Sequence, residues 1–158
     1  MTFHVLAVGR VRDAALRAAC DEYLRRVRRT ARIEVHEVAE AGRAGGTPAV
    51  TQRIEGERVQ RATPTGALRV ALTRVGRAHT SDQFARLVGR WREGARDVAF
   101  LLGGAHGLPD GLVQHADAAL SLSSLTLPHE LARLVLLEQL YRAGTILRGE
   151  PYHKGRRA

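Results

Sequence analysis

Cysteine, lysine and long apolar runs are nearly absent from this sequence, and each absence excludes something. One cysteine, Cys20, stands among 158 residues, so neither an internal disulfide nor a cysteine-rich zinc site can form. No window approaches the roughly 18 uninterrupted apolar residues of a membrane-spanning helix. The amino terminus, MTFHVLAVGR, lacks the basic region and long apolar stretch of a secretory signal and reads as a strand. None of the seven histidines falls in H-E-x-x-H or another metal-ligand spacing, and no metal is expected. What remains is 44% hydrophobic and 26% charged in 17.3 kDa, the composition of one globular domain over 1–158. A soluble, cytoplasmic protein with no membrane partner is expected.

Positive charge is abundant and unevenly placed. Lys plus Arg is 25 against 16 for Asp plus Glu, a net charge of +9, and every base except Lys154 is arginine. Such a surplus on a small domain favours a polyanionic partner, and the guanidinium fork matches phosphate geometry. Arg10, Arg12, Arg17, Arg25, Arg26, Arg28, Arg29 and Arg32 crowd the first quarter, and Arg148, Lys154, Arg156 and Arg157 the tail. Between Arg96 and Arg133 there is neither Lys nor Arg. The basic ends flank a neutral-to-acidic centre.

The periodicities alternate between strand and helix. FHVLAVG (3–9) is a buried strand. Asp13 caps a helix carrying Leu16, Ala19, Cys20, Tyr23 and Val27 on one stripe, where Cys20 packs in the core. IEVHEV (33–38) is a half-buried strand, 41–48 a Gly-rich loop, and Thr47-Pro48 opens a polar helix to about Ala62. ALRVAL (67–72) is a strand. Ser81 caps a helix burying Phe84, Leu87, Val88 and Trp91, and VAFLL (98–102) reads as a strand covered on both faces. A short helix near 110–116 and a strand at 119–122 follow. The last helix runs from Pro128 to about Arg148, and the tail 149–158 reads as unstructured. The alternation predicts an α/β fold with a mostly parallel sheet. The last helix is apolar on every side, which predicts a second subunit as its cover and hence a homodimer; burial within the monomer is the alternative.

Two segments can carry chemistry. Gly103-Gly104-Ala105-His106-Gly107 joins a strand to a helix, where open α/β sheets bind ligands and where glycine admits close backbone approach. Its spacing matches neither the dinucleotide nor the triphosphate fingerprint, and a tight strand–helix turn explains it equally well. SLSSLTLPHE (121–130) ends a strand with a hydroxyl-rich turn whose main-chain groups can read an adenine edge or a ribose; ordinary capping by Ser123, Ser124 and Thr126 is the alternative. His129, at a helix start, and His153, in the tail, can take a proton near neutrality, or serve only structurally.

LLGGAHGL (101–108), LSLSSLTLPHELAR (120–133), LLEQLYRAGTI (136–146) and PYHK (151–154), with LAVGRVRD near the start and EYLRR (22–26), together resemble the RlmH family of SPOUT-class methyltransferases. The resemblance spans nearly the whole chain. It implies a SPOUT-type α/β domain with a deep C-terminal trefoil knot, S-adenosylmethionine as cofactor and a homodimer. It also implies methylation of N3 of a pseudouridine in helix 69 of 23S rRNA on the assembled ribosome. Carried over, the cofactor contacts fall on Leu72, Gly103, Gly104, Leu122, Ser123, Ser124, Leu125, Thr126 and Leu127. Neutral main chain there suits a cationic sulfonium, beside which Lys or Arg would be repulsive. His129 and His153 are candidate bases, and Tyr152 a stacking or hydrogen-bonding partner of the target nucleotide. Arg25, Arg26, Arg142 and Lys154 are candidate phosphate contacts. Thr73, Arg77 and His106 depart from the family pattern. A SPOUT methyltransferase acting on another RNA such as tRNA, and a non-enzymatic RNA-binding module, are the rival readings.

Overall fold

The computed structural model describes residues 1–42 and 46–153, with only the backbone of His153; Lys154 lies outside the described residues. Five strands form one sheet: β1 (Thr2–Val8), β2 (Arg32–Val38), β3 (Leu68–Ala78), β4 (Val98–Leu102) and β5 (Ala118–Ser121). The helices are α1 (Ala14–Arg28), α2 (Pro48–Ala62), α3 (Ser81–Glu93), α4 (Asp110–Gln114) and α5 (His129–Leu147), followed by a single 3-10 turn, Pro151–His153. The sheet order is β2-β1-β4-β3-β5, and every pairing is parallel. All carboxyl ends of the strands therefore share one edge, and each connection must cross a face of the sheet.

Alternation within the strands makes two cores. Phe3, Val5 and Ala7 of β1, Val70 of β3 and Phe100 and Leu102 of β4 pack under Cys20 and Val27 of α1, Phe84, Val88 and Trp91 of α3, and Leu136, Leu137 and Leu140 of α5. Leu6, Val8, Ala71, Ala99 and Leu101 face the other way, under Val59 of α2, with Leu108, Leu112 and Val113 around α4. Every residue of β4 is buried, as its unbroken apolar run requires. Cys20 is buried as expected, and burial pushes its thiol pKa up, which makes it a packing group rather than a nucleophile.

Asp13 and Thr47 cap α1 and α2 as their positions predict. The cap of α3 is Thr80 rather than Ser81. Thr80 accepts from Gln83 N, while the Gln83 side chain accepts from Thr80 N, so the reciprocal box is set one residue earlier. Ser81 is thereby free to donate to Gln139 of α5 at 2.8 Å. Strand β3 runs to Ala78, beyond the 67–72 segment, because it resumes pairing after an irregularity: Leu120 pairs with Leu72 and again with Arg77. Helix α5 packs against both α1 and α3, with Leu136, Leu137, Leu140 and Ala143 fully covered and Leu131, Leu134 and Val135 half-buried. Among the described residues no helix is long and apolar enough to cross a membrane.

Leu137, with no exposed surface in the α5 layer, is expected to cost about 2–5 kcal/mol when cut to Ala. Val75, 88% exposed, should cost no more than about 0.5 kcal/mol on the same change. Urea unfolding of both variants checks the contrast.

Candidate active site

Leu72 of β3 pairs with Leu102 of β4 on one side and Leu120 of β5 on the other. Gly103-Gly104 and the 122–127 turn therefore leave the sheet on either side of β3. The residues carried over as cofactor contacts come from three chain segments, and the parallel register brings them to one edge.

The glycine turn needs its glycines. A Cβ on Gly103 would stand 2.2 Å from Gly107 C and 2.6 Å from Leu108 N, a backbone clash that no rotamer relieves. Gly107 has φ +75°, and its N–H donates to Gly104 O at 3.0 Å, closing the turn. Gln52 of α2 fastens the turn from outside, donating to His106 O at 2.9 Å and Leu108 O at 3.0 Å. His106 itself is exposed.

One acid here escaped the sequence reading. Glu55 of α2 is 4% exposed; its Oε1 accepts from Ala41 N at 3.0 Å, and its buried Oε2 has no partner among the described residues. That oxygen would lie 2.6 Å from a Cβ on Gly104. A buried carboxylate oxygen without a donor is costly, so the edge of this cradle suits a cationic or N–H-bearing ligand. The only signal in the sequence was Glu55 one turn before Val59 on the buried stripe of an otherwise polar helix.

The 122–127 turn is held by its hydroxyls. Ser121 Oγ donates to Ser123 O at 2.8 Å, and Leu125 N donates to Ser123 Oγ at 2.9 Å. Ser124, Leu125 and Thr126 are exposed. The Lys- and Arg-free stretch does not make the surroundings wholly neutral, because Arg74, from the β3 irregularity, reaches Thr126 Oγ1 at 3.4 Å.

The start of α5 is clamped to the loop after β1. Buried Arg133 donates to Glu37 Oε1 at 2.5 Å and Gly9 O at 2.7 Å, and Glu130 accepts from Asp13 N at 3.3 Å. These contacts place half-buried His129 at the carboxyl edge of the sheet.

Tyr152 lies elsewhere. Its hydroxyl donates to Glu138 Oε1 at 3.1 Å and stands 3.1 Å from the Tyr23 hydroxyl, and its ring meets Tyr141 edge-on with centroids 4.7 Å apart. The Arg142 guanidinium covers the Tyr152 ring at 4.9 Å while pairing with Glu138 at 2.6 Å. Arg26 sits over Tyr23 and pairs with Glu22 at 2.6 Å, and Arg25 pairs with the same carboxylate. The fold thus gathers Tyr152, Arg142, Arg25 and Arg26 into one tyrosine–arginine cluster. It does not bring that cluster to His129: Glu138 is about 14 Å along α5 from His129. The His153 side chain and Lys154 fall outside the described structure.

The arrangement is that of an α/β enzyme with a ligand cradle at the carboxyl edge of a parallel sheet. The profile described as "Predicted SPOUT methyltransferase" matches residues 1–153, and the chain belongs to the SPOUT methyltransferase family. It is 43% identical over 155 residues to "Ribosomal RNA large subunit methyltransferase H" of Bordetella petrii, covering 98% of this chain and 99% of that one. It is 46% identical over 154 residues to the protein of the same name from an Anaeromyxobacter species, covering 98% and 100%. Two solved structures share the fold. A probable methylase family protein from Haemophilus influenzae has TM-score 0.56 at 10% identity, over 99% of this chain and 72% of that one. A probable methyltransferase from Bordetella pertussis has TM-score 0.55 at 15% identity, over 89% and 95%.

Burial and the Tyr23 and Glu138 contacts push the Tyr152 pKa far above the ordinary tyrosine value of about 10. A raised folded-state value adds stability that is whole below about pH 10 and is lost as pH climbs through the raised value. Tyr152→Phe should therefore remove the latest phase of a spectrophotometric phenol titration and flatten the stability loss above about pH 10.

Proposed function

We propose that this chain transfers a methyl group from S-adenosylmethionine to N3 of a pseudouridine in helix 69 of 23S rRNA, acting on assembled ribosomes in the cytoplasm as a homodimer. The observation that carries the reading is the convergence of Leu72, Gly103-Gly104 and 122–127 at one sheet edge, in a chain similar over its full length to proteins named for the large ribosomal RNA. The family's trefoil threading belongs to the same reading.

The residues fit the cofactor. Side-chain-free Gly103 and Gly104 leave main chain to line the cradle, Leu72 and Leu122 offer apolar walls, and Glu55 presents a carboxyl oxygen with no partner among the described residues on the Gly104 side. Bound there, S-adenosylmethionine supplies a methyl group on a positively charged sulfur. The protein's own task is mainly to hold the nitrogen in line with that methyl. N3 of pseudouridine carries a proton and attacks poorly until it leaves; His129, at the carboxyl edge of the sheet, or His153 accepts it. Tyr152 holds the nucleotide, and Arg25, Arg26, Arg142 and Lys154 hold phosphates. Because Tyr152 lies well down α5 from His129, a site that uses both is built from two copies. The half-buried Leu131, Leu134 and Val135 on α5 are consistent with a second copy as their cover.

Tritiated methyl transfer to intact ribosomes, naked 23S rRNA and tRNA tests this. Label at a pseudouridine N3 in ribosomes is the expected result; label in tRNA instead, or in nothing, overturns it. Gly103→Ala should lower transfer about 100-fold or more by displacing the turn. Gly111→Ala, whose Cβ meets nothing within 4 Å, should leave it near normal. At saturating methyl donor, His129→Ala or His153→Ala should lower kcat about 10²–10⁴-fold, and near-normal turnover in both removes the base from the mechanism.

A further inference from the structure

At the opposite end of the sheet, β1 and β2 carry a second polar constellation. His4 pairs directly with Glu34 across the two strands, and His36 lies two residues further along β2. All three point to the face away from α5, since their odd-numbered neighbours Phe3, Ile33 and Val35 fill the other core. His4 Nδ1 is 3.0 Å from His36 Nε2, and Glu34 Oε2 is 3.5 Å from each of these nitrogens. A tetrahedral ion bound at about 2.0–2.2 Å holds its ligand atoms about 3.3–3.5 Å apart. The three atoms already form very nearly that triangle.

A hydrogen-bond network accounts for it poorly. One proton can lie between the two imidazole nitrogens, but the carboxylate oxygen at 3.5 Å is too far from either for a good hydrogen bond. His4 is only 7% exposed, and its other nitrogen, Nε2, is buried without a well-made hydrogen bond, 3.5 Å from Asp97 Oδ2. Asp97 is itself fixed by the Thr2 N–H at 2.6 Å. A carboxylate beyond the far ring nitrogen keeps the proton on Nε2 and leaves the Nδ1 lone pair for a metal, as ligating histidines require. Among the described residues this is the one group of three or more side chains so disposed.

We propose that His4, His36 and Glu34 bind a divalent transition-metal ion of the zinc type, with Asp97 orienting His4 through its far ring nitrogen. Two imidazoles and one carboxylate suit zinc and disfavour calcium or magnesium. Glu34 is 59% exposed and leaves the fourth position to water. His4 is about 13 Å along the sheet from the Gly103 turn, so the ion ties edge strand β2 to β1 and takes no part in methyl transfer. Spacing of ligands along the chain could not reveal the site, because strand pairing rather than a local motif assembles it.

The test is titration of the full chain with Co²⁺ and Zn²⁺ at pH 7.5. The expected result is one equivalent of Co²⁺ with the intense visible bands of a tetrahedral centre and no thiolate charge-transfer band, displaced by Zn²⁺. Zn²⁺ should also raise the thermal midpoint. His36→Ala and Glu34→Gln alter exposed or half-buried side chains and should fold; each should abolish or greatly weaken the signal. Asp97→Asn keeps an acceptor for Thr2 and should weaken binding about 10–100-fold. No tetrahedral spectrum from the wild-type chain, or one that survives both His36→Ala and Glu34→Gln unchanged, overturns the proposal.

Discussion

Leu72 stands in register with Leu102 on one side and Leu120 on the other, and the site depends on that row. In a parallel sheet, strands that align in one row end at one edge. The glycine turn after β4 and the hydroxyl turn after β5 then emerge on either side of β3, just beyond the Leu72 row. Slipping one strand by a residue would turn its side chains to the wrong face, burying polar groups in one core and exposing apolar ones in the other. The burial of Val70, Phe100 and Leu120 on one side and of Ala71 and Leu101 on the other therefore fixes where the cradle forms.

Around that row the structure uses backbone more than side chains. Gly103 lies so close to Gly107 and Leu108 that no Cβ fits, and Gln52 holds the turn through its carbonyls. Glu55 is the exception, a buried acid with one oxygen beside Gly104 that has no partner among the described residues. On the far side, Arg133 spans Glu37 and Gly9 O and sets the start of α5 at the same edge. Rigid main chain, one buried anion and a clamped helix start make a site suited to a small cationic ligand. The tyrosine–arginine cluster further down α5 has a different character: Arg26 and Arg142 are half-buried, each paired with an acid and stacked on a tyrosine, and exposed Arg25 shares Glu22 with Arg26.

Much of the fold was legible from periodicity. The β4 run VAFLL, the Asp13 and Thr47 caps and the apolar α5 all hold in the structure. Failures came where distant contacts decide. The cap of α3 sits at Thr80, where the reciprocal box with Gln83 forms, and Ser81 is left to bond Gln139 of α5. Strand β3 extends past its apolar segment because β5 offers Leu120 and Ser121 as partners to Arg77 and Ala78. The carried-over contacts Leu72, Gly103, Gly104 and 122–127 are gathered at one place, whereas His129 and Tyr152, read as one catalytic group, are separated by more than two turns of α5.

The sequence by itself determined the α/β class, the parallel character of the sheet and the need for glycine after β4, because these follow from local periodicity and backbone sterics. Only the tertiary structure decided that one oxygen of Glu55 lies beside Gly104 without a partner among the described residues, that Arg74 approaches the otherwise uncharged 122–127 turn, and that His4, Glu34 and His36 face one another. Those facts depend on which strands and helices become neighbours, and side chains far apart along the chain acquire partners only when the sheet register is set.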